Sequence, residues 1–572
     1  WGEERIKGMI ANRPDWCISR QRIWGVPIPA AHCKECHEAV LTPGLLAHVA
    51  DVFAKRGADA WYDPDPSVLP ETLACPKCGV KPREAFTRDE SIIDVWFESG
   101  SSFYAVCHGK PGLGTPVDVY VEGSDQHRGW FHSSLLVGCV VLGEAPYRTV
   151  VTHGFVCDEK GRAYSKNDIR RRQEGLRDRI VAALKGEAVP ADDERLKRDP
   201  ELVAAVPKLT DEARKRLKKA KDARPEDIAH RLAEETIEYI SPEQVMAEQG
   251  AELFRAWAAF VDYENDMPYS RKIFEQASDA YRRVRNTLRF MLGALREEPA
   301  PAIEDVRLEA IDRWALARLA EFSAECEGHY RRYEFRAVFA KVLDFTQELS
   351  AFYLDASKDW LYNDARASAR RQSAVATMQY LVRAVATMIA PLLPFSAEDV
   401  WDHLPRYEGR AASVHLETWP RLRPVADGPE LFVAMKRLRA VRELVFAALE
   451  PVIQAWGVEK QSAKKQGREP GTGERTFSDS ERIDHARDAE VSVTLPEGEA
   501  AELGAFRDQV AELLGVGPLY LVTGDGAKVA VRRAEGPPCD RCWRRRPDVQ
   551  SSGLCARCDE AVRIHRETVN AQ

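Results

Sequence analysis

Val119-Tyr-Val-Glu122-Gly123-Ser124-Asp125-Gln126-His127-Arg128-Gly129-Trp130-Phe131-His132 is the stretch on which the reading of this chain turns. A β-branched and aromatic run ends in carboxylate, glycine and carboxylate, and a helix-like segment, Phe131 to Leu142, follows. Polar groups therefore collect where a strand hands over to a helix. In an open parallel sheet, ligands sit beyond the carboxyl ends of the strands. There Gly123 lets the backbone approach closely, and Glu122, Asp125 and Gln126 are placed to grip amines and hydroxyls. A plain surface β-to-α turn is the alternative.

Around this stretch, residues 1–166 mix short apolar runs (Val117 to Val121, Thr149 to Val156) with Gly and Pro punctuation, the pattern of alternating strands and helices. From Asp168 to about Thr236 the sequence is strongly charged, with Arg170-Arg171-Arg172 and Arg214 to Lys221. It reads as a helical, partly solvated insertion, either a surface arm without a role or one that contacts phosphates. Apolar spacings of three and four then dominate Phe274 to Leu295, Asp312 to Cys326, Phe335 to Leu361 and Ser373 to Met388, which predicts an α-helical bundle. Pro391 to Ser396 breaks the run, with Ser396 placed to cap the next helix. Lys460 to Asp479 reads as an exposed linker, and Glu490 to Leu495 and Leu519 to Val522 as strands of a small α+β element.

Bulk properties narrow the field. The 572 residues are enough for three to four domains, and 44% hydrophobic residues is ordinary for packed cores. No apolar run approaches a membrane span and no basic-then-apolar leader opens the sequence, so a cytoplasmic protein is expected. A net charge of −8 argues against blanket attachment to nucleic acid but leaves room for local basic surfaces.

Eight of the thirteen cysteines form four C-x-x-C pairs: Cys33 with Cys36, Cys75 with Cys78, Cys539 with Cys542, and Cys555 with Cys558. Two such pairs complete a four-sulfur zinc site. Cys539, Cys542, Cys555 and Cys558 read as a C-terminal zinc ribbon. Cys33, Cys36, Cys75 and Cys78 read as a second site, with His32 and His37 as spare ligands; a redox pair is the alternative. Zinc contributes about 10 to 16 kcal/mol of apparent folding free energy to such modules at neutral pH. Cys17, Cys107, Cys139, Cys157 and Cys326 lack ligand spacing.

Three ordered motifs carry a resemblance: Arg13 to Pro29 with its Ser19-Arg20-Gln21 and Trp24-Gly25, Asp94-Val-Trp96-Phe97-Glu98-Ser99-Gly100, and Glu122 to Phe131. Together the chain resembles the C-terminal two-thirds or so of a bacterial isoleucyl-tRNA synthetase, a class I enzyme. Valyl and leucyl relatives usually lack the EGSDQHRGWF run. The likeness continues through Asp262-Tyr263, Tyr281 to Phe290, Tyr353-Leu354-Asp355 and Ala390 to Phe395, which in the family belong to stem-contact and anticodon-binding helices.

The resemblance implies a multidomain fold. The second half of a Rossmann-like α/β catalytic domain (1–166, with a zinc-binding insertion at about 30–82) precedes a charged helical insertion (167–236). Stem-contact helices (237–300), an all-α anticodon-binding domain (301–455), a linker with a small α+β element (456–530) and a zinc ribbon (531–572) follow. It implies an isoleucine-tRNA ligase that uses ATP, with Mg as its counter-ion, to attach isoleucine to its tRNA through isoleucyl-adenylate. Glu122, Gly123, Asp125, Gln126 and His153 would bind the adenylate. Lys166 falls on the second lysine of the KMSKS loop that contacts ATP phosphates and is the expected catalytic residue.

Departures accompany the match. Ala163 stands where that loop has its first lysine, Tyr164 replaces methionine, Asn167 replaces the final serine, and Glu98 replaces an aspartate of the DVWFDSG block. The HIGH motif and editing domain are not found in these residues. The expectation is a chain inactive alone that needs an N-terminal half, either carried on a separate chain or lost, and that is otherwise monomeric. A noncatalytic tRNA-binding paralogue is the alternative, and a zinc-dependent nucleic-acid adaptor is a third reading.

Overall fold

The computed structural model describes residues 2–162, 164–188, 193–220, 222–295, 300–407, 409–472 and 476–570. Ala163, on which one of the loop departures rests, lies outside them, as does Lys221 at the end of the basic run. The chain divides into two compact units, Trp1–Val156 with Tyr263–Met267, and Cys157–Asp262 with Pro268–Gln572.

In the first unit the strands Val117–Gly123 and Tyr147–His153 pair in parallel, with Tyr120 opposite Val150 and Gly123 opposite His153. Parallel neighbours need a crossover, and the helix Trp130–Val141 supplies it. Buried Phe103, Tyr120, Phe131 and Val137 form the core beneath, and the Tyr120 and Trp130 rings stack at 4.0 Å. Gly138 lets this helix lie on Pro146, because a Cβ there would come within 2.5 Å of the proline ring. Neither strand has another neighbour among the described residues. The same unit holds a three-stranded antiparallel sheet, Ala39–Val40, Ala31–Cys33 and Phe86–Arg88, packed around buried Trp61, Leu45 and Val68.

The second unit begins with the charged segment. It is more than a solvated arm: the helices Lys166–Lys185, Pro200–Lys219 and Pro225–Thr236 enclose their own core, including Leu176, Ile180, Ala213, Ala229 and Leu232. Its apolar residues are few but fall on facing stripes, which composition alone conceals. Many of its cations are spent internally: Arg172 on Asp199, Arg195 on Asp193 and Asp178, Arg216 on Glu235 and Glu212.

The helical bundle follows as expected, through Ala251–Phe260, Arg271–Ala294, Ala310–Arg331, Phe335–Glu348, Asp355–Asn363, Ala369–Ile389 and Pro394–His403. A π-helical segment, Leu349–Leu354, joins two of these into one run. The cap at Ser396 is corrected. Pro394 has no N–H to satisfy and its fixed φ starts the helix two residues earlier. Ser396 instead donates its backbone N–H to Glu252 Oε1 at 2.9 Å.

The linker expected from Lys460 is also corrected in part. The helix Gly428–Gln466 runs for 39 residues through its Lys, Gln and Ala positions, all good helix formers, and ends on left-handed Gly467. Beyond it, the strand Ala489–Leu495 pairs in parallel with Leu519–Thr523 and antiparallel with Lys528–Arg533. No helix among the described residues is long and apolar enough to cross a membrane.

Candidate functional site

At the carboxyl end of the parallel pair, Gly123 and His153 are register partners. A short 3-10 turn, Ser124–His127, then folds back before the crossover helix. A Cβ on Gly123 would lie 2.8 Å from Asp125 Oδ1 and 3.6 Å from the His153 ring, so bare backbone is what lets the three meet. Gln126 Nε2 donates to Asp125 Oδ2 at 2.7 Å, and Gln126 Oε1 accepts the Trp130 N–H at 3.0 Å, opening the helix. His153 Nδ1 donates to the Gly154 carbonyl at 2.8 Å. The Glu122 side chain is exposed and has no hydrogen-bond or ion-pair partner among the described residues. The structure thus brings Gly123, Asp125, Gln126 and His153 together on one edge, with Glu122 next to them on the strand.

Sequence reasoning missed the support beneath this edge. Asp94, 4% exposed, caps the helix Val95–Gly100 through the Trp96 N–H at 2.9 Å, accepts the Trp16 indole at 3.1 Å, and pairs with Arg20. Burial pushes its pKa up, but those donors outweigh burial and hold the carboxyl below its ordinary range. The Trp96 ring then lies against Gly129, where a Cβ would come within 2.7 Å of it. Two motif blocks distant in sequence are thereby fixed under Gln126. An aspartate directly before an apolar helix start was the available signal. His132 is buried against Arg13 (2.7 Å to Nδ1); burial and that guanidinium both push its pKa down, so the ring is neutral. Glu98 accepts the Val26 N–H at 3.2 Å, so the longer carboxylate at this position ties down the Arg13 to Pro29 segment.

Lys166 lies in the second unit, exposed at the first position of the helix Lys166–Lys185, whose cap is Ser165 accepting the Asp168 N–H at 3.1 Å. Tyr164 turns inward: its hydroxyl accepts the Ile240 N–H at 2.7 Å, and its ring packs on Tyr239 and Tyr269. It anchors the loop to the protein and presents no group to a phosphate.

The cysteines gather as two sets of four, and in each set all sulfurs lie within 4.8 Å of one another. Cys33 to Cys78 is 3.6 Å, Cys36 to Cys75 is 3.5 Å and Cys542 to Cys555 is 3.8 Å. A tetrahedron with Zn–S bonds of about 2.3 Å has edges of about 3.8 Å. Three of the four pairs share one turn. His37, Gly79 and Trp543 each stand four residues after the first cysteine, have positive φ (60°, 78° and 60°), and donate their N–H to its carbonyl. The fourth pair opens the helix Ala556–Asn570. Backbone N–H donation from Cys78 lowers the Cys75 thiol to about 6, and the neighbouring Cys558 thiol lowers Cys542 to about 5. Four sulfurs gathered at these distances suit a thiophilic dication. His32 is not among the gathered ligands; its Nε2 bonds Asp89 at 2.7 Å.

Residues 1–171 match the family model of class I tRNA synthetases (I, L, M and V), and residues 312–465 match the anticodon-binding domain of tRNA ligases. Over those residues the chain is similar to class I tRNA synthetases and to their anticodon-binding domain. Among curated relatives, the isoleucine–tRNA ligase of Thermotoga maritima is 34% identical over 99% of this chain and 53% of its own length. That of Geobacter sulfurreducens is 35% identical over 98% and 52%. The chain thus spans about half the length of the curated relatives it matches. Among solved structures, the methionyl-tRNA synthetase of Mycobacterium tuberculosis in complex with methionyl-adenylate aligns with 70% of this chain and 56% of that one, at 13% identity and a TM-score of 0.39.

Proposed function

We propose that this chain serves an isoleucine–tRNA ligase of class I. Its carboxyl-edge cluster holds the aminoacyl-adenylate, and its helical part binds the tRNA. The observation that carries the reading is the meeting of Gly123, Asp125 and His153 at the end of a parallel strand pair, in a chain whose matched relatives bear that activity.

In the reaction, the isoleucine carboxylate attacks the α-phosphate of Mg-bound ATP, pyrophosphate leaves, and the tRNA terminal ribose hydroxyl then displaces AMP from the aminoacyl carbon. Glu122 and Asp125 are suited to the substrate's cationic amine and the ribose hydroxyls. Gln126 is held by Asp125 and the Trp130 N–H, so it is preorganised. Exposed Lys166, at a helix start where the dipole also favours anions, is suited to the charge growing on the phosphates.

Two zinc ions fit the two cysteine sets, and the module from Cys539 onward is read as a zinc ribbon that closes the chain. The domain limits follow the sequence reading. The test is isoleucine-dependent pyrophosphate exchange by this chain supplied with a HIGH-bearing N-terminal half. Exchange that needs both parts supports the reading. Isoleucine-tRNA binding with no exchange in the assembled pair would favour the noncatalytic alternative.

A further inference from the structure

Within the second unit, the segment that carries Lys166 is held from the inserted helices by ion pairs. Asp199 stands just before the helix Pro200–Lys219, where an aspartate usually accepts an N–H of its own helix, yet its side chain makes no such bond. The carboxylate, 1% exposed, is turned instead to two arginines that flank Lys166 in sequence. Arg172 forks onto it, with Nε at 2.9 Å from Oδ2 and Nη2 at 3.1 Å from Oδ1, and Arg162 Nη1 donates to Oδ1. Arg162 also closes its own turn, through Nε to Asp158 Oδ2 at 2.8 Å, and Glu201, two residues beyond Asp199, pairs with Lys160.

On the other side, Gln173 Nε2 donates to the Ile237 carbonyl at 2.7 Å, three residues before the Ile240 that binds Tyr164. Lys166 is the first residue of a helix whose Ile169, Leu176 and Ile180 belong to the insertion's core, while its own side chain is exposed. A carboxylate shared by two guanidinium groups in a largely buried place is a poor source of net stability, because desolvating the charges offsets their attraction. What such an arrangement fixes is geometry.

We propose that Asp199 is a positioning residue for the attack on ATP. By drawing Arg162 and Arg172 onto one carboxylate it sets the turn before Lys166 and the helix after it in fixed places, so that the lysine meets the phosphates preorganised. Asp199 is too buried to meet a substrate and acts only through its arginines. The inference rests on the reading of Lys166 as the phosphate contact, and it gives the inserted helices a task other than touching phosphates themselves: holding the segment that does.

Two measurements test it. Asp199→Asn keeps the size and one acceptor oxygen but removes the charge. In the full chain, hydrogen exchange over 158–167 should rise about 10-fold in this variant, with 169–185 and 200–219 as protected as in wild type. Unchanged exchange over 158–167 overturns the proposal, and so does loss of protection through both helices, which would mark Asp199 as a support of the fold alone. In the chain complemented by a HIGH-bearing half, isoleucine-dependent pyrophosphate exchange is compared for Asp199→Asn, Lys166→Ala and the double variant. Asp199→Asn should lower kcat about 10-fold while the KM for isoleucine and the affinity for an adenylate analogue stay within about 2-fold. In the Lys166→Ala background the same change should cost less than about 2-fold, because the group it acts through is gone. Equal losses in the two backgrounds overturn the proposal. If Lys166→Ala slows exchange and Asp199→Asn does not, this inference alone falls; if Lys166→Ala has no effect, the reading of Lys166 fails and the inference falls with it.

Discussion

Arg557 Nη1 donates to Asp359 Oδ2 at 2.8 Å, joining the helix that the last cysteine pair opens to the bundle helix Asp355–Asn363. Arg541 adds bonds to the carbonyls of Asn363 (2.8 Å) and Tyr362 (2.9 Å), and Arg544 faces the same carboxylate at 3.7 Å. Asp359 is 4% exposed, and its loss removes the carboxylate that Arg544 faces and the nearer of the two that Arg557 pairs with, the other being Asp364 at 3.6 Å. Asp359→Ala is expected to cost about 3 kcal/mol or more in urea unfolding. Burial pushes this carboxyl up, but Arg557 and Arg544 outweigh it and hold the pKa at about 2, below the unfolded value of 3.8. The stabilisation, about 2 kcal/mol, is therefore complete above pH 4 and lost as pH falls toward 2. Wild type should lose this increment in acid titrations followed by intrinsic fluorescence, and Asp359→Asn should lack it.

Asp312 has the opposite signature. It sits in the bundle core, 1% exposed, accepting the Tyr353 hydroxyl at 2.6 Å and the Ser373 hydroxyl, with no ion-pair partner among the described residues. Burial raises its pKa to about 6, above the unfolded 3.8. Its contribution is fully present below pH 4 and disappears as pH rises through 6, where ionising it in place costs about 3 kcal/mol. Asp312→Asn keeps an acceptor and carries no charge. It should gain 1 kcal/mol or more relative to wild type at pH 8, and that gain should vanish at pH 4. An equal effect at both pH values would show that packing, not charge, decides the site.

Zinc should be released in a ratio of two per chain when the thiols are titrated with a mercurial, read by a colorimetric zinc indicator. The segment carrying the last two cysteine pairs meets the bundle through Asp359, Arg541 and Arg557, yet the bundle has its own core in Trp314, Phe322, Phe339 and Phe345. Hydrogen exchange after metal removal is therefore expected to rise sharply over 538–560 while 310–390 stays protected. A single zinc, or loss of protection throughout the bundle, would contradict this.

The strand-to-helix edge was legible because alternation, a glycine and a carboxylate cluster coincide over a dozen residues, and the cysteine pairs because ligand spacing is local. What escaped the sequence depended on partners far along the chain. Ser396 has the chemistry of a cap, but Pro394 and the carboxylate of Glu252, 144 residues away, take that role. The Lys460 run looks like a linker because its charges hide two buried positions, Glu459 and Ala463, that keep it helical. The insertion's core rests on apolar residues spread over three helices, which no short window can sum. Asp94, tied to Trp16 and Arg20, has an importance visible only once two motif blocks are side by side.

Gly129 offers a test of how this edge is held. It lies between the Trp96 ring and the Gln126 side chain, and a Cβ would press on both. Gly129→Ala must displace the indole or the amide, loosening the Gln126 contacts to Asp125 and Trp130. In a complemented enzyme, a misplacement of about 1 Å in a positioning group typically costs on the order of 100-fold in rate. Pyrophosphate exchange is expected to fall by about that factor, with tRNA affinity within 2-fold of wild type. Lys166→Ala should also slow exchange by about 100-fold, acting on the charged transition state rather than on adenylate binding. Adenylate-analogue affinity separates the two: it weakens in Gly129→Ala and holds in Lys166→Ala. Unchanged exchange in Gly129→Ala would mean that Gln126 has no part in holding the substrate.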